Sequence, residues 1–153
     1  AHGGFVIGSE FSGGMKNIVV RNNTFQGTDA GLRFKSAVKR GGKSENIYID
    51  HIYMTDITGD AITFETTYFD NHVGAKQQAA PVKQEFLPDF QDIHISNVYV
   101  RGCKNGIVAH GAEGMIHDIT IKDCNIFYNK NAKDIDAACK ITLENVNFST
   151  FAK

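Results

Sequence analysis

The sequence predicts an all-β protein, a right-handed parallel β-helix (solenoid) of about five to six coils, and three observations carry that expectation. Five segments align with one another without gaps, each alternates apolar and polar residues, and a second short strand signal follows the first in several of them. Self-similarity at a coil-sized period is the mark of a repeat architecture.

The aligned segments are Asn17 to Phe25, Asn46 to Met54, Asp92 to Val100, Asp118 to Ile126, and Lys140 to Phe148. Their second positions are Ile18, Ile47, Ile93, Ile119 and Ile141, and their fourth are Val20, Ile49, Ile95, Ile121 and Leu143. Alternation of this kind describes a strand with one buried face, and the helical spacing i, i+3, i+4, i+7 fails. The sixth positions are Asn22, His51, Asn97, Asp123 and Asn145. Asn and Asp tolerate the left-handed conformation and bond nearby backbone, so they mark a bend. The ninth positions, Phe25, Met54, Val100, Ile126 and Phe148, return to the interior on a second short strand.

The later strand signal reads Gly31-Leu32-Arg33-Phe34-Lys35, then Ala61-Ile62-Thr63-Phe64-Glu65, then Gly106-Ile107-Val108-Ala109-His110. Leu32 and Phe34 should point inward, with Arg33 and Lys35 outward on one face. Phe5-Val6-Ile7 resembles the same strand one coil earlier. Segments starting at 17, 46, 92, 118 and 140 are 29, 46, 26 and 22 residues apart. The 46-residue interval fits one coil plus an insertion near 68–91, which holds both prolines, Pro81 and Pro88. Long loops on a regular scaffold are often functional. A leucine-rich repeat is the rival fold, but this chain uses Ile and Val with two strand signals per repeat. A single domain over 1–153 is expected.

An apolar fraction of 42% supports a packed core and excludes a disordered chain. No run approaches the roughly 18 apolar residues of a membrane span, so no membrane association is expected. No signal peptide is visible. The first residue is Ala rather than Met, which fits a processed protein, a truncation or a fragment. A net charge of −1 argues against a nucleic-acid partner. Arg33, Lys35, Lys39, Arg40 and Lys43 nevertheless cluster without an intervening acid. That cluster suits either an anionic ligand or a solvated basic loop. Cys103, Cys124 and Cys139 have no metal-type spacing, and Cys124 falls where other repeats place Ile or Val, as a small core residue. A Cys103–Cys139 disulfide is open, with nothing in the spacing to favour it. His51, His72, His94 and His117 show no metal-ligand spacing, so neither metal nor cofactor is expected.

Two motifs resemble a known family. Ala1-His2-Gly3-Gly4-Phe5-Val6-Ile7-Gly8-Ser9 is similar to the His-Gly-x-x-Ile-Gly-Ser segment of the polygalacturonases, glycoside hydrolase family 28. Gly31-Leu32-Arg33-Phe34-Lys35-Ser36 is similar to that family's Arg-Ile-Lys motif, with Phe34 in place of Ile. Both occur in the family's order on consecutive coils, and the later repeats and the insertion resemble the C-terminal coils of bacterial members. The resemblance therefore covers essentially the whole chain. It implies a secreted or periplasmic enzyme acting on a pectin-type anionic polysaccharide or oligosaccharide, with inversion at the anomeric centre.

The family's aspartates lie in Asn-Thr-Asp and Asp-Asp motifs that precede the His-Gly segment, and neither motif occurs in these 153 residues. An inverting hydrolase needs an acid and a base roughly 6.5–9.5 Å apart. The chain is therefore expected to be the C-terminal portion of a hydrolase, without cleavage activity of its own.

By resemblance, His2 would assist a catalytic acid. Arg33 and Lys35 would bind a sugar carboxylate, one through a planar fork and the other as a point charge. Tyr68 would line the substrate cleft as an aromatic platform, or else be a packed loop aromatic. Glu65 aligns one coil beyond Lys35, as an ion-pair partner for it or a hydroxyl acceptor for substrate, and His110 follows in the same column at the surface. The bland alternatives are a disordered terminal His2 and solubilising charges at Arg33 and Lys35. For the whole chain the alternative is a non-catalytic β-helix, carbohydrate-binding or of adhesin or tailspike type. An uncovered first coil with Phe5 and Ile7 also predicts self-association, because exposed strand edges template pairing.

Overall fold

Alternating apolar residues form continuous stacks here because each strand pairs, parallel and in register, with the equivalent strand of the next coil. The computed structural model describes residues 3–7, 14–37, 42–68 and 87–150, with only the backbone path for residues 37, 67 and 68. Its strands are β1 Phe5–Ile7, β2 Met15–Gln26, β3 Leu32–Ala37, β4 Ser44–Tyr68, β5 Ile93–His110, β6 Ile119–Ile135 and β7 Ile141–Thr150. They form one parallel sheet in the order β1-β3-β4-β5-β6-β7, with β2 also paired to β4. Among the described residues there is no helix.

Strands β2 and β3 together make one coil, since both lie against β4, through Ile18↔Ile47 and Leu32↔Ile62. The parallel β-helix expected from the sequence is the observed architecture. Ile47, Ile93, Ile119 and Ile141 stack in register, as do Ile49, Ile95, Ile121 and Leu143. The interior members of both columns are buried, whereas Ile141 and Leu143 are partly buried against the core. They belong to β7, which has a neighbouring strand on one side only among the described residues. The Phe5-Val6-Ile7 strand pairs with Leu32-Arg33-Phe34, one coil on.

The predicted bends are left-handed residues. Asn22, His51, Asn97, Asp123 and Asn145 all have φ between 52° and 55°. Asn17, Asn46, Asp92 and Asp118, at the first position of the first four repeats, do the same, with φ between 53° and 59°. Polar side chains then ladder between coils: Asn145 donates to Asp123 at 2.9 Å, and Asn97 to Asp50 at 2.9 Å. Those bonds offset part of the roughly 1–2 kcal/mol that a Cβ costs in the left-handed region.

All three cysteines are buried and free, so no Cys103–Cys139 disulfide exists. Cys124 sits between Val98 and Val146 in register, as a small core residue. Most of the insertion, residues 69–86, lies outside the described residues. Where the chain is described again, Asp89 and Phe90 bridge to Lys43 and Ile116.

Candidate functional site

The face carrying Arg33 and Lys35 rests on a rigid aromatic floor. Leu32 and Phe34 point inward and are fully buried, leaving Arg33 and Lys35 on the outer side of β3. Phe34 stacks on Phe64 of the next coil at 4.6 Å and 8°. Phe90 meets both rings edge-on, at 6.0 and 6.3 Å. The ring that replaces the aliphatic residue in the Arg-Phe-Lys triplet is therefore a core element. Stacked aromatic pairs contribute about 0.5–1.5 kcal/mol beyond area burial. Gly31 permits the close approach at the start of β3: a Cβ there would run into the Met54 thioether and stand 2.6 Å from the Ala61 carbonyl oxygen.

The register sets two outward columns across the coils. One runs Val6, Arg33, Thr63, Val108, Asp134, and the other runs Lys35, Glu65, His110. Glu65 thus lies one coil beyond Lys35, as expected. Its carboxylate is engaged by Arg33, whose Nη2 donates to Oε2 at 3.3 Å, so the ion pair observed at Glu65 is diagonal. The long guanidinium spans that diagonal, with side chains 24% and 29% exposed. Among the described residues, Arg33 Nε and Thr63 Oγ1 are the buried side-chain polar atoms without a hydrogen-bond partner. An unsatisfied buried polar atom costs about 1–3 kcal/mol, which sets these two atoms apart on this strand face.

His110, expected at the surface, is half-buried and held by two carboxylates. Its Nε2 lies 3.4 Å from Asp134 Oδ2, and its Nδ1 lies 3.2 Å from Asp136 Oδ1. Asp136 also accepts the Gly111 N–H at 3.0 Å, and Thr66 Oγ1 donates to the His110 carbonyl at 2.8 Å. Sequence reasoning missed this cluster. The signal was available, because the 26-residue spacing from Asp92 to Asp118 also places Asp134 opposite Val108.

Of the remaining candidates, His2 lies outside the described residues, and Tyr68 is placed only by its backbone pairing with Ala37. Lys39 and Arg40 of the basic cluster and His72 also lie outside them. His51, His94 and His117 each face one carboxylate, at 2.7 Å (Asp50), 2.8 Å (Asp92) and 2.6 Å (Asp89). Among the described residues, no group of three or more His, Cys, Asp or Glu side chains is placed to hold a metal ion. No helix among them is long and apolar enough to cross a membrane.

The fold is a coiled stack of parallel strands, one of which carries Arg33 and Lys35 on its outer side. The model of the glycosyl hydrolases family 28 matches residues 2–150, and the chain belongs to that family. It is 27% identical over 145 residues to a polygalacturonase of Ralstonia nicotianae, covering 88% of this chain and 25% of the relative. It is 30% identical over 100 residues to an exo-poly-alpha-D-galacturonosidase of Dickeya chrysanthemi, covering 65% of this chain and 16% of that protein. The crystal structure of a hyperthermoactive exopolygalacturonase from Thermotoga maritima superposes with a TM-score of 0.81 at 32% identity, covering 97% of this chain and 31% of that one. The chain thus spans about a quarter of the length of the curated polygalacturonase from Ralstonia nicotianae.

Proposed function

We propose that these coils form the C-terminal, uronide-binding part of a secreted or periplasmic pectin-degrading glycoside hydrolase, with Arg33 and Lys35 as the carboxylate-binding pair. The observation that carries this reading is the state of Arg33. Glu65 holds one end of its guanidinium, its buried Nε lacks a partner, and Lys35 stands two residues along the same strand face. A planar donor fork beside a second cation suits a carboxylate, through charge-assisted bonds. Glu65 orients the fork and can accept a sugar hydroxyl. The Tyr68 ring supplies a platform for the sugar face, and His2 assists the catalytic acid.

In this reading hydrolysis proceeds with inversion, by an acid and a base carried on coils that precede these in the intact enzyme. The present residues bind and orient; they do not protonate the leaving oxygen. The relatives support the reading, since the two named above are a polygalacturonase and an exo-poly-alpha-D-galacturonosidase.

Titration of the chain with trigalacturonate, followed by amide chemical shifts, tests it. Shifts should centre on β3 and β4, and Arg33→Ala or Lys35→Ala should weaken binding without altering the rest of the spectrum. Binding unchanged in both variants would return these residues to solvated surface charges. The chain alone should release no reducing sugar from polygalacturonate, and turnover by it would refute the assignment of the acid pair to other coils.

A further inference from the structure

Past Lys35 the outer face of the coils changes sign. The β3 level presents Arg33 and Lys35, and the next level presents Glu65. Beyond it come His110 on β5, and Asp134 on β6 with Asp136 just after it, bracketing the imidazole at 3.4 and 3.2 Å. The cation nearest these acids in sequence, Lys133, sits over the Phe148 ring at 5.8 Å. Adjacent coils are about 4.8 Å apart. Glu65 and the aspartates are therefore one to three coils from the carboxylate-binding pair. That spacing puts a ligand group at the neighbouring position within roughly the 8 Å screening length of physiological salt from at least one carboxylate.

The acids are accompanied by a built polar element. Thr63, 1% exposed, lies in register between Arg33 and Val108 on this same outward face, and its Oγ1 has no hydrogen-bond partner. Ionised carboxylates only accept hydrogen bonds, whereas a threonine hydroxyl donates as well as accepts. Together they suit a group offering hydroxyls and a neutral carbonyl, and they repel a second anion.

We propose that the outer face of the coils immediately beyond Lys35 is a subsite that rejects a free sugar carboxylate and takes a sugar whose carboxyl is esterified or absent. Glu65, Asp134 and Asp136 set that preference. The proposal rests on the reading of Arg33 and Lys35 as the carboxylate-binding pair and adds the discrimination next to it. One anionic sugar is held, and its neighbour must be neutral.

The test compares two probes on the intact chain: trigalacturonate with three free carboxylates, and a methyl-esterified trigalacturonate that keeps one. The single-carboxylate probe should bind about two- to fivefold more tightly, the range expected for partly exposed charge pairs. Asp134→Asn with Asp136→Asn should bring the ratio toward one by strengthening binding of the fully charged trimer. Since Asp136 also accepts the Gly111 N–H, Asp134→Asn alone serves as a second variant and should move the ratio in the same direction. A ratio near one in the unaltered chain, or one unmoved by both variants, overturns the proposal. Arg33→Ala separates the two readings. If it weakens both probes while the aspartate variants do nothing, the subsite fails and the carboxylate-binding pair stands. If it weakens neither, the pair itself fails.

Discussion

Replacing Ile121 with Ala is the sharpest test of the stacked core. Ile121 is fully buried, between Ile95 and Leu143 in its column. Truncation removes three carbons, about 2.4 kcal/mol of transfer free energy at roughly 0.8 kcal/mol each. The neighbouring coils cannot close the space, because their strands are held by ladder bonds, so the cavity raises the cost to about 2–5 kcal/mol. Leu143→Ala is the internal comparison. Leu143 is partly buried on β7, which has a strand neighbour on one side only among the described residues. Its loss should come to about 1–2 kcal/mol, mostly transfer. Urea unfolding followed by far-ultraviolet circular dichroism gives both values, provided the slope stays constant, since a solenoid can lose coils independently. Equal losses at the two positions, or a loss below about 1 kcal/mol at Ile121, would refute the column as a closed core.

The remaining predictions concern the bend, the acid limb, the thiols and assembly. Asn97→Val should cost about 1–3 kcal/mol, because a β-branched residue at φ 54° is strained and the bond to Asp50 is lost; Asn97→Gly should recover most of the backbone part in the same urea assay. Hydrogen bonds from Asn97 above all, and then from His51 and Ser96, hold the Asp50 carboxyl down at about 2 against the opposing effect of burial. A carboxyl lowered on folding stabilises the protein above its ordinary value of 3.8, and that contribution disappears as pH falls toward 2. The urea midpoint of the native chain should therefore drop more steeply than that of Asp50→Asn over that window, and parallel curves would contradict the carboxyl's role. Burial pushes the Cys103 thiol up to about 12 and those of Cys124 and Cys139 to about 11. Iodoacetamide at pH 7.5 (roughly a unit below a free thiol) should label none of them until urea is added; rapid native labelling would place a thiol at the surface. Val6, Met15 and Val19 are exposed on the first strands, so sedimentation should show a mass that rises with concentration. A constant monomer mass would argue against association through these side chains.

The repeat by itself determined the fold. Alternation at period two and a polar residue at a constant place in each segment leave one arrangement that buries every apolar column, and Ile47, Ile93 and Ile119 stack as their spacing requires. It also placed Arg33, Lys35 and Glu65 on one face, because strand alternation and coil register are arithmetic on residue number. Tertiary structure decided which of those charges meet. Arg33, which does not lie opposite it in register, engages Glu65, since side-chain length and rotamer act across the ladder while sequence spacing fixes only backbone neighbours. The cluster of His110 with Asp134 and Asp136 has the same origin. One 26-residue coil step brings their backbone positions together, and the bracketing of one ring by two carboxylates depends on side-chain rotamers and on how β6 leaves the ladder after Ile135.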